Sequence, residues 1–139
     1  MAADDGKPQD LAIIDRWSGD FPVAELDLLP EGQRQSRVGY TDDPQVFGTL
    51  WQAFKPGEKV PAVDFNRNLV VFSRNVDFYN RTHIMKVVLA GGGLEILAME
   101  TMSAMLIEDK VAMALAVVPR AGIKFIRAGD TQIPVAVAR

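Results

Sequence analysis

At 139 residues and 15.3 kDa the chain has room for one self-sufficient core, and its 48% hydrophobic and 24% charged content is that of an ordinary globular domain. It has no cysteine and a single histidine, His83, which excludes a disulfide scaffold, a thiolate zinc site, an iron–sulfur cluster, a cysteine nucleophile and any scheme that needs two imidazoles. A net charge of −3, divided as −6 over residues 1–64 and +3 over 65–139, offers no basic footprint for nucleic acid or an anionic membrane.

Residues 1–10 lack apolar periodicity and read as a flexible tail, leaving 11–139 as a single β-rich domain. The start, Met-Ala-Ala-Asp-Asp, is polar and acidic and carries no signal-peptide core; it is the pattern expected of an exported chain after its leader has gone. Residues 11–17 form a short apolar segment that Ser18-Gly19-Asp20 is expected to break. Residues 23–29 alternate, with Ala24, Leu26 and Leu28 against Glu25 and Asp27, which predicts a half-buried strand. Pro30-Glu31-Gly32 is turn chemistry, and 33–40 reads as a polar, edge-like return strand.

The clearest helix spans about 43–55. Thr41-Asp42-Asp43 supplies caps, Pro44 suits the first turn, and Val46, Phe47, Leu50, Trp51 and Phe54 recur as one apolar stripe before Pro56-Gly57. So short a helix needs a sheet beneath its aromatic face. Beyond Pro61 the chain reads as β: strands at 68–72, at 83–90 and 94–99 around a Gly91-Gly92-Gly93 hairpin turn, at 110–118, at 122–127, and an edge segment at 133–137. Residues 99–110 suit either helix or strand. The longest uninterrupted apolar run, 111–118, is far short of the roughly 20 residues a membrane helix requires. Six to eight short strands with one covering helix, and no strand–helix–strand alternation, predict an α+β fold, mostly antiparallel β, built as a sandwich or partly open barrel.

No catalytic set emerges. The serines lack a nucleophile turn, Asp42-Asp43 is explained by capping, Asp64 by turn hydrogen bonds ahead of a strand, and the triple glycine lacks the lysine of a phosphate loop. Two features remain. The polar stretch 73–82 reads as a loop between strands and carries Phe78, Tyr79 and Arg81, which with the adjacent His83 form a candidate protein-contact surface, since exposed aromatics and arginine anchor interfaces. The alternative is metal: His83, Met85, Met99, Met102 and Met105 combine one imidazole with soft thioethers, the donors Cu(I) prefers. Residues three apart in a strand point to opposite faces, so the 99–102–105 spacing converges only outside regular β structure.

Leu50-Trp51, then Val60-Pro61-Ala62-Val63-Asp64-Phe65, then the strand 68–72 resemble the C-terminal domain of PrcB-type proteins, and the likeness runs through the hairpin to Val117-Val118-Pro119-Arg120, roughly residues 46–120. The resemblance implies a small, β-rich, non-enzymatic bacterial domain, exported, without cofactor, that stabilises a protein complex by binding another protein. This chain departs from the family where a Thr-Gly-Gly-Tyr type turn follows the first strand, because 73–82 contains no glycine. The reading is therefore an exported protein-binding module, periplasmic or at the cell surface, with a Cu(I)-binding protein as the alternative.

Overall fold

The computed structural model describes residues 8–29, 33, 37–74, 80–102, 110–128 and 131–135. Nine strands lie among them: β1 (Gln9–Leu11), β2 (Asp15–Pro22), β3 (Val38–Thr41), β4 (Asn68–Arg74), β5 (Asn80–Ala90), β6 (Gly93–Met102), β7 (Lys110–Pro119), β8 (Phe125–Ala128) and β9 (Thr131–Pro134). They make two sheets, β1-β5-β6-β8-β9 and β2-β7-β4-β3, in which every pair is antiparallel except β6 and β8. One α-helix, α1 (Pro44–Phe54), covers the four-stranded sheet. The α+β, mostly antiparallel fold expected from the sequence is the one found; of the two architectures it allowed, sandwich or partly open barrel, the strands form a sandwich, and they number nine where six to eight are expected.

The core explains the layering. β7 is buried on both faces and sorts its side chains by size. Ala114, Ala116 and Val118 meet the five-stranded sheet together with Leu69, Val71, Ile84, Val87, Leu94 and Ile126. Met113, Leu115 and Val117 turn the other way, toward Phe21, Val70, Phe72 and the helix. Small residues on the inter-sheet face let two sheets approach, while the larger set fills the space under a helix. The result is three layers.

α1 begins as its sequence prescribes. Asp43 Oδ1 accepts from the N–H groups of Gln45 (2.8 Å) and Val46 (3.3 Å), and Pro44 takes the position whose N–H would have no partner. Asp42 does other work: its Oδ2 lies 3.4 Å from Nη2 of Arg120, whose Nη1 donates to the Phe65 carbonyl at 2.8 Å. Phe47, Leu50, Trp51 and Phe54 are buried. Trp51 stands edge-on to Trp17 at 5.1 Å and packs on Phe47 and Phe54, while its Nε1 donates to the Glu58 carbonyl. Asp64 acts structurally, as expected, accepting from the Asn66 N–H at 3.0 Å just ahead of β4.

Three expectations are corrected. Residues Val23–Leu28 form a 3-10 helix rather than a strand. Five alternating residues do not decide between the two periods; Pro22, with no N–H, ends the ladder, and Glu25 in the first turn favours a helix. Ser18-Gly19-Asp20 does not break β2 but pairs with Ala114, Met113 and Ala112, the Lys55 side chain passing over Gly19. β1 starts at Gln9, inside the stretch read as a tail, and pairs with β5; residues 1–7 lie outside the described residues. The return strand is shorter than expected, Val38–Thr41, and does lie at a sheet edge. The hairpin turn sits where the glycines are, with Gly91 and Gly92 both at positive φ (58° and 85°) and Ala90 paired to Gly93.

Candidate functional site

The site grows from an irregularity in β5. Ile84 pairs with Ala98 and Lys86 with Leu97, so Met85 has no partner and forms a β-bulge. The extra residue changes which positions face the core. Thr82 and Ile84 point inward before the bulge, Val87 and Leu89 after it, all buried. His83, Met85 and Lys86 are exposed on the outer face. On β6 the outer face carries Glu95, Leu97 and Met99, with Met99 directly across from His83.

This arrangement gathers the apolar surface. Among the described residues the exposed large hydrophobics are Ile14 (53%), Met85 (49%), Leu97 (38%) and Met99 (52%). Three stand on the outer face of the β5–β6 hairpin, and Ile14 borders Met85 across a groove that Arg16 and Lys86 also line. Charges surround them: Lys86 lies 4.0 Å from Asp10 of β1, and Glu95 pairs in register with Arg127 of β8.

Arg16 of β2 joins the two sheets at the bulge. Its Nη1 donates to the Ile84 carbonyl at 3.1 Å. Beside this contact a cleft of about 290 Å³ is lined, among the described residues, by Arg16, Trp17, Ser18, His83, Ile84 and Met85, none of them a carboxylate. Below the outer face, Thr82 Oγ1 is buried without a hydrogen-bond partner among the described residues. Elsewhere, Arg74 is buried at the end of β4, and desolvation lowers its guanidinium from the ordinary value.

The residues expected from sequence separate into three groups. His83, Met85 and Met99 come together on one exposed face. Arg81 lies in β5 rather than in the expected loop, since its backbone continues the ladder opposite Thr101; Met102 is placed by backbone opposite Asn80 at the same end of the hairpin. Phe78, Tyr79 and Met105 lie outside the described residues. Leu97, Ile14 and Arg16 escaped the sequence reading. The signal was available for Leu97: on β6 it alternates in step with Glu95 and Met99, and a glutamate two residues before it marks that face as the outer one.

Among the described residues no three His, Cys, Asp or Glu side chains are grouped to hold a metal ion, and no helix is long and apolar enough to cross a membrane. No protein-family model, curated protein or solved structure matches the chain.

Proposed function

We propose that this chain is a non-enzymatic protein-binding module that docks a partner on the outer face of its β5–β6 hairpin and so stabilises a complex. The observation that carries the reading is the grouping of Met85, Leu97 and Met99 on that face, with Ile14 at its margin. Scattered apolar residues are normal on a surface, but a contiguous group with a charged rim has the anatomy of a transient interface. Methionines suit such a face because an unbranched, polarisable side chain adapts to its partner. The candidate contact residues Phe78, Tyr79 and Arg81 fall just ahead of His83 in sequence. The resemblance to PrcB-type domains supports the same conclusion and adds an exported setting.

The test uses immobilised chain and an extract of the source cells. The wild-type chain retains a protein that the Met85→Ser/Leu97→Ser/Met99→Ser variant releases, with affinity reduced about tenfold or more. Equal retention by both would remove the reading.

A further inference from the structure

The geometry points to a soft-metal site for Cu(I) on the same face, built from His83, Met85 and Met99. It does not rest on the protein-binding reading. His83 and Met99 are register partners, and residues directly opposite in an antiparallel pair have Cβ atoms about 5 Å apart. Met85 lies two residues along β5, roughly 7 Å away by strand rise, on the bulge and on the outer face. Met85 and Met99 are each about half exposed as residues, at 49% and 52%, so neither side chain is committed to the core. A methionine side chain with three rotatable bonds spans these separations and brings its sulfur to a common point above the imidazole.

The surroundings select the ion. One imidazole and two thioethers form a soft donor set that suits Cu(I) and is poor for Mg²⁺, Ca²⁺ or Mn²⁺. Among the described residues the cleft beside His83 and Met85 is lined by no carboxylate and is bordered by Arg16, whose guanidinium is fixed on the Ile84 carbonyl, while Asp10 and Asp15 line the separate groove on the far side of Met85. A neighbouring cation repels a dication twice as strongly as a monocation at the same distance, so Arg16 reinforces the preference for a monovalent ion. Met113 does not contribute, being buried under the helix at 1% exposure. Met102 is placed by backbone register opposite Asn80, three strand residues from Met99.

Anaerobic titration of the purified chain with Cu(I), in competition with a chromogenic Cu(I) chelator, tests the site. The wild-type chain takes up a single Cu(I). Met85→Leu/Met99→Leu and, separately, His83→Gln weaken binding about tenfold or more, since even outer-shell partners of metal ligands are worth that much. Circular dichroism melts establish that each variant is folded. Leu97→Ser, which removes apolar surface but no donor, leaves Cu(I) affinity in place; the metal site and the partner surface therefore fail separately. Binding by the wild-type chain no tighter than by Met85→Leu/Met99→Leu overturns the assignment, as does loss of binding in Met102→Leu/Met105→Leu with the proposed ligands intact.

Discussion

Arg16 on β2 and Ile84 on β5 are 68 residues apart in sequence and joined by one hydrogen bond, Nη1 to carbonyl oxygen at 3.1 Å, at the point where β5 bulges. The contact links the edge of one sheet to the irregular strand of the other. Replacing Arg16 with methionine keeps much of the side-chain stem and removes the donor. The expected loss is about 1 kcal/mol in urea unfolding, the net worth of one such bond. Amide exchange accelerates first around residues 84–86. An unchanged exchange pattern there would show that the contact does not hold the bulge.

The bulge makes a sharper prediction. Deleting Met85 joins Ile84 to Lys86 and restores regular alternation, with Ile84, Val87 and Leu89 still facing inward. The shortened chain folds. Deleting Val88 instead turns Leu89 outward and leaves the chain unfolded or strongly destabilised. Thermal melts of the two deletions check this, and a folded Val88 deletion beside an unfolded Met85 deletion would reverse the account.

Two glycines of opposite consequence test the packing. A Cβ at Gly39 would collide with Gln33 Oε1 and with the Phe72 ring, and that same Oε1 accepts the Tyr40 N–H at 2.7 Å. Gly39→Ala therefore destabilises by about 2–3 kcal/mol through overpacking. Gly48, within α1, has open space around its Cβ position, so Gly48→Ala stabilises by about 0.5–1 kcal/mol. Chemical denaturation of both variants gives the signs directly.

The aromatic face of α1 anchors the third layer. Truncating Trp51, 2% exposed and in ring contact with Trp17, Phe47 and Phe54, costs about 3–5 kcal/mol. Asp43→Ala, which removes only the acceptor for Gln45 and Val46, costs about 1 kcal/mol. Equal losses would mean that the cap, rather than the aromatic stripe, fastens the helix.

What the sequence made legible follows from how local each signal is. The α1 cap and stripe, the glycine turn and the apolar run of β7 are short-range patterns, and each element formed where its residues indicated. The run 23–29 is ambiguous in sequence because a few alternating residues suit a strand or a 3-10 turn equally, and only the end of the β2 ladder at Pro22 decides. Ser18-Gly19-Asp20 looked like a break because glycine's role there depends on Lys55, 36 residues away. His83 and the methionines were found by residue type. Their meeting on one face depends on the register between β5 and β6, which composition does not encode.

Docking of a protein partner on the outer face of the β5–β6 hairpin is tested most directly by hydrogen–deuterium exchange of the chain, alone and with the protein it captures. Exchange across residues 83–99 is expected to slow in the complex while α1 does not change. Protection confined to α1, or exchange at 83–99 unchanged in the complex, would place the partner elsewhere.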